Sequence, residues 1–193
     1  MNLRVAVKTS LGAVWKKSWI LVGLNWLFFS FIVVGGFFTE AGAGLYIWPF
    51  APVFPADTSN ALFLFGVIAA CNLVLNGFVL LTLTGLGFFV LPMFLLGFKA
   101  FLWGVFLDGL STPLFLAALP IVILEGEGYV LASLAGVNLG LSWLKPEWAY
   151  KGEELSRSEA VKRAFIGCAH IYVLVAVFLL VAAVVEALTP ALF

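Results

Sequence analysis

Residues 61–109 form one apolar run of 49 residues whose only charges are Lys99 and Asp108. Wound as a single α-helix, the run would exceed about 70 Å, against a bilayer hydrocarbon core of roughly 30 Å. It therefore has to cross a membrane, turn, and cross back. Composition agrees: 64% of the residues are hydrophobic and 10% charged, where an ordinary soluble domain is about 25% charged. A chain of this length has no soluble fold that hides so much apolar surface. The sequence reads as a single all-α integral membrane domain over residues 1–193.

A span needs about 20 apolar residues. Residues 19–38 supply the first, and Ala41-Gly42-Ala43 beyond it imitates a signal cleavage site. The run is longer than the roughly 7–15 residues of a signal-peptide core, so it reads as a retained span. The 49-residue stretch divides best at Thr82-Leu83-Thr84-Gly85-Leu86-Gly87, giving spans at 61–82 and 87–108. Asp57, Ser59 and Asn60 are capping candidates for the former. Region 113–144 is interrupted by Glu-Gly-Glu-Gly at 125–128 and is expected to be an overlong crossing broken there. A last span covers 164–188, entered through the capping-box pattern Ser156-Arg157-Ser158-Glu159.

Charge placement orients these spans. Arg4, Lys8, Lys16 and Lys17 precede the first span, and Lys145, Lys151, Arg157, Lys162 and Arg163 precede the last, while 39–60 has no Lys or Arg. The positive-inside rule puts both basic segments in the cytoplasm and 39–60 outside. An odd number of crossings must separate 39–60 from 145–163, so 113–144 crosses once rather than forming a re-entrant hairpin. The expectation is five spans in the plasma membrane, N-terminus inside and C-terminus outside. In 1–18, Leu3, Val7, Leu11, Val14 and Trp15 recur at helical spacing, as in an amphipathic interfacial helix attracted by anionic lipid. Segment 39–60, with Tyr46, Trp48, Phe50 and Phe54 among three prolines, reads as an outer cap.

Charges at bilayer depth cost several kcal/mol and usually face a partner or water. Lys99 lies near the centre of the third span, and Glu125 and Glu127 near the centre of the fourth. Adjacent antiparallel spans pack together, so a Lys99–carboxylate pair is the cheapest arrangement. One lysine cannot neutralise two carboxylates. One of Glu125 and Glu127 is therefore expected to be protonated near neutral pH or to bind a cation. This polar core either fixes helix register or lines an ion or polar-ligand path. Asn72 and Asn76, at i and i+4, are expected to hydrogen-bond between helices. Asp108 and Glu186 sit at outer span ends, where water can reach. His170 and Cys168 lie two residues apart and face different ways on a helix, a poor metal site. Ala132, Gly136 and Gly140 recur every four residues and permit close helix packing, either within the chain or across a homodimer seam.

No nucleophile elbow, P-loop, HExxH or dinucleotide fingerprint is present. No basic domain suggests nucleic acid. The chain is read as a non-enzyme without a cofactor.

The order of motifs resembles that of the stage II sporulation protein M family of multi-span membrane proteins. Pro120-Ile121-Val122-Ile123-Leu124-Glu125 is similar to its Pro-His-Gly-x-x-Glu motif, followed by the small residues Ala135-Gly136 and Gly140. Val184-Val185-Glu186-Ala187-Leu188-Thr189-Pro190 is similar to its Glu-x-x-Thr/Ser-Pro ending. Gly97-Phe98-Lys99 stands where the family often has Asn-Gly before another glycine, and Asn72 matches an asparagine of an earlier span. The motif's His and Gly are Ile121 and Val122 here, so histidine-dependent chemistry does not carry over. The resemblance implies a non-enzymatic membrane scaffold that recruits membrane or extracytoplasmic protein partners, expected as a homodimer. The competing reading is a small transporter or channel subunit with Lys99, Glu125 and Glu127 on a proton- or cation-coupled path.

Overall fold

The computed structural model describes residues 22–23, 25–38, 60–150 and 153–189. Among these every regular element is a helix. The elements are α1 (Asn25–Phe37), α2 (Ala61–Gly87), α3 (Leu91–Asp108), α4 (Thr112–Leu144), the single turn α5 (Pro146–Ala149) and α6 (Arg157–Ala187). Four of them, α2, α3, α4 and α6, are long and apolar enough to cross a membrane. The expected interfacial helix at 1–18 and, apart from Asn60, the cap at 39–60 lie outside the described residues, as does the start of the first expected span.

The helix starts follow local chemistry. The Asn60 side chain accepts from the amides of Leu62 and Phe63 at 3.0 and 3.1 Å, capping α2 as expected. Pro92, Pro113 and Pro146 occupy the first turns of α3, α4 and α5, where a missing N–H costs nothing. The capping box forms at α6: the Glu159 amide donates to Ser156 Oγ at 3.3 Å, and the Ser156 amide donates to Glu159 Oε2 at 3.1 Å.

Two boundaries differ from expectation. Residues 82–87 remain helical, and the chain turns at 88–90 instead. Thr82 is buried there, its hydroxyl donating to the Ala132 carbonyl at 2.9 Å and lying 2.6 Å from the Tyr172 hydroxyl. These partners on α4 and α6 hold the segment in helical register. Second, α4 is not broken at 125–128; it runs unbroken for 33 residues, roughly 50 Å. Its glycines admit neighbours rather than bends. A Cβ at Gly126 would lie 2.9 Å from the Phe29 ring, and one at Gly128 would collide with the Leu179 side chain. Pro120 is accommodated inside the helix.

Close contacts set the directions. Thr82 meets Ala132 and Asn72 meets Glu125, so α2 and α4 run parallel. Cys168 donates to the Ala135 carbonyl at 3.4 Å and Leu179 packs on Gly128, so α6 runs against α4. Gly97 packs on Phe28, and a Cβ at Gly104 would lie 2.8 Å from the Gly36 Cα, so α1 runs alongside α3. Residues 128–136 of α4 are all buried whichever way they point. A helix covered on every side is the centre of its bundle. Around it the main core joins Phe29, Leu96, Tyr129, Val175 and Leu179. Outward-facing apolar side chains such as Leu62, Phe94, Leu116 and Ile166 are exposed, as suits a lipid-facing surface.

The small-residue seam is filled within the chain. A Cβ at Gly136 would lie 3.0 Å from the Thr82 Cα, and one at Gly140 would lie 2.8 Å from the Phe89 Cα. Ala132 is fully buried one turn earlier. Of the two packing roles open from sequence, intramolecular contact with α2 is the one observed.

A buried polar cluster as candidate functional site

Midway along α3, Lys99 points inward and is only 4% exposed. Its Nζ lies 4.5 Å from the centroid of the Tyr129 ring. Glu125 precedes Tyr129 by four residues, one helical turn, so both project from the same face of α4. Glu125 is 3% exposed and Glu186, from the last turn of α6, is 4% exposed. Lys99 lies within electrostatic reach of both carboxylates, and the two carboxylates lie within reach of each other. From α2, the Asn72 amide donates to Glu125 Oε1. Asn76 in turn donates to Asn72 Oδ1 at 3.5 Å. Four helices thus contribute to one enclosed polar cluster.

Asn72 and Asn76 lie in Ala70–Leu83, a stretch wound as π-helix. Such wider winding is often found at functional sites. The Thr82 hydroxyl oxygen also lies 3.1 Å from the Gly77 carbonyl, five residues back.

The expected Lys99–carboxylate pair does not form as a contact ion pair; Glu125 is the α4 carboxylate within electrostatic reach of Lys99. Among the described residues, the ion pairs closer than 4.0 Å are Lys145–Glu147 and Arg163–Glu153, both on the surface. Glu127, grouped with Lys99 and Glu125 from sequence, lies elsewhere. Two residues correspond to about 200° around a helix, which turns Glu127 toward α1, where it accepts from the Trp26 indole. Its place in the cluster is taken by Glu186. Expected at a solvated span end, Glu186 is instead covered, with neighbouring Ala183 and Ala187 packed on Leu64 and Ile68 of α2. Asp108 is exposed at the end of α3, as expected.

Tyr129 was not singled out by sequence reasoning, although its spacing from Glu125 offered the signal. The Thr82–Tyr172 hydrogen bond was missed too, and nothing in the sequence joins residues so far apart. His170 Nδ1 is occupied by the Ile166 carbonyl at 2.8 Å. Among the described residues no group of three or more His, Cys, Asp and Glu side chains could hold a metal ion.

Several buried polar atoms in or near this cluster lack a hydrogen-bond partner: Glu186 Oε2, the Tyr129 hydroxyl, Asn76 Oδ1 and, one turn further along α4, the Ser133 hydroxyl. Orphans of this kind are uncommon in packed interiors and cost free energy unless something satisfies them. Chemically, the arrangement can hold charge and bind small cationic species, and it can lock four helices in register. No protein-family model, curated protein or solved structure matches the chain.

Proposed function

We propose that the chain is a five-span protein of the plasma membrane, N-terminus inside and C-terminus outside, that works as a non-enzymatic scaffold for membrane or extracytoplasmic protein partners. The observation that carries this reading is the enclosure of Lys99, Glu125 and Glu186, all at most 4% exposed, where four helices meet. A conduction path needs polar groups that water can reach. A closed cluster instead joins helices, and a joined bundle presents a fixed surface to partners. The separation of Glu127 from Lys99 also weakens the transport reading, which grouped them on one path.

The fifth span in this reading is α1, whose described part runs alongside α3 and packs on α4 through Phe29 and Trp26. The resemblance to the stage II sporulation protein M family supports the same function. Asn72, Glu125 and Glu186 carry that resemblance from three separate segments, and they converge on one cluster around Lys99, a lysine where the family has an uncharged residue. A second copy would dock on the lipid-facing surface, since the small-residue seam is already occupied by α2.

The test is reconstitution into proteoliposomes with proton- and sodium-sensitive dyes, beside the double variant Lys99→Met/Glu125→Gln. A scaffold gives no flux above empty vesicles, and the double variant folds and keeps its oligomeric state in native mass spectrometry. Flux that disappears in a folded double variant would replace this reading with a transporter.

A further inference from the structure

The cluster holds two carboxylates for one ammonium. Lys99 sits over the face of the Tyr129 ring, a contact that favours the charged ammonium. With Lys99 charged and both carboxylates ionised, one negative charge is left over in an interior of low dielectric, where unpaired charge is strongly disfavoured. Lys99 on α3 and Tyr129 on α4 lie within reach of both Glu125 and Glu186, and Asn72 on α2 donates to Glu125. None except Lys99 supplies positive charge.

Two atoms with lone pairs also stand open at this point. Glu186 Oε2 is buried without a partner, and the fully buried Tyr129 hydroxyl lies near Glu125 without a hydrogen bond of normal geometry. The Asn72 amide donates to Glu125 Oε1, while Glu186 Oε2 has no such donor.

We propose that Glu125 and Glu186 together bind one positive charge per chain, a proton or a sodium-sized alkali cation, with Glu186 Oε2 and the Tyr129 hydroxyl as its open ligands. Lys99 balances one carboxylate and the bound charge balances the other, which leaves the interior neutral. The site stands apart from the scaffold reading, because a charge that is bound and held gives no flux.

The experiment is infrared spectroscopy of the purified full-length protein in nanodiscs at neutral pH, first in choline chloride and then with sodium chloride at equal ionic strength. Thermal stability is followed in both buffers. A bound proton gives one protonated-carboxyl band per chain in choline, unchanged by sodium. A bound alkali cation gives no such band, and sodium raises the thermal midpoint by several degrees over choline. Glu125→Gln and Glu186→Gln each leave Lys99 with one carboxylate, so either substitution removes the band or the sodium effect, whereas Glu127→Gln keeps it. The proposal is overturned if the wild type shows neither signal. It is equally overturned if the signal survives in both Glu125→Gln and Glu186→Gln. If one variant fails to fold, the other carries the same test.

Discussion

Lys99 is held by a ring face and by two carboxylates at a distance rather than by one contact pair, so its stability contribution is spread over neighbours. Crossing Lys99→Met with Glu125→Gln in a double-mutant cycle should give a coupling above about 1 kcal/mol, because the residues share one network. The cycle with Glu127→Gln should be additive within about 0.5 kcal/mol, since Glu127 is engaged by Trp26 on another side of α4. Thermal denaturation in detergent reads both, and equal coupling to the two glutamates would contradict the geometry. Tyr129→Phe keeps the ring beneath Lys99 and removes an unpartnered hydroxyl. In sodium-free buffer it should change stability by less than about 1 kcal/mol, while Tyr129→Leu, which loses the ring, should cost more. Much of this site was legible in the sequence: lone charges in apolar runs mark Lys99 and Glu125 without any structure. Glu186 was misjudged because position along one helix does not say which neighbours cover its end. Its cover comes from α2 and α4, through Leu64 and Ile68 below Ala183 and Ala187, and through Ala118 and Ile121 beside Val185.

At the scale of elements, glycine has opposite consequences depending on what faces it. In α4 the glycines at 126, 128, 136 and 140 were expected, at the first pair, to break the helix. They instead let rings, a leucine and the backbone of α2 reach its surface. Gly136→Ala would push a Cβ into the Leu81–Thr82 backbone and against Pro92. Overpacking of that kind should cost about 1–3 kcal/mol. Gly87→Ala, near the exposed end of α2, has nothing within 4 Å of the added Cβ. It should be neutral or stabilising by up to about 1 kcal/mol. Midpoints of thermal unfolding for the two variants check the contrast, and a harmless Gly136→Ala would mean that α2 and α4 do not pack here. Hydropathy located these helices because lipid imposes long apolar runs. It could not place the turn, since Thr82 and Gly85 look like turn residues until their partners on α4 and α6 are known. Nor could it tell a packing glycine from a breaking one, because that depends on the facing helix and not on local propensity.

For the whole molecule, helix directions and charge distribution make one topology testable. Helices α1, α3 and α6 run one way and α2 and α4 the other, so the start of α1, the 88–90 turn and the segment before α6 share a face. Lys145, Arg157, Lys162 and Arg163 lie at that end of the bundle, and in sequence the basic residues Arg4, Lys8, Lys16 and Lys17 come before α1. Under the proposed five-span topology, the positive-inside rule predicts that this face is cytoplasmic. The turn between Asp108 and Thr112 and the end of α6 then lie outside. Single cysteines at Lys145 and Asp108, both exposed, separate this topology from its inverse. A membrane-impermeant maleimide applied to intact cells should label Asp108→Cys and leave Lys145→Cys unmodified until the membrane is permeabilised. The wild type, with Cys71 half-buried and Cys168 buried, sets the background. Labelling of Lys145→Cys from outside would invert the bundle and place its basic face against the outer leaflet. Equal labelling of both positions from one side would mean that α4 does not cross, and the enclosed Lys99–Glu125–Glu186 cluster would lose the lipid surroundings that make its charge balance matter.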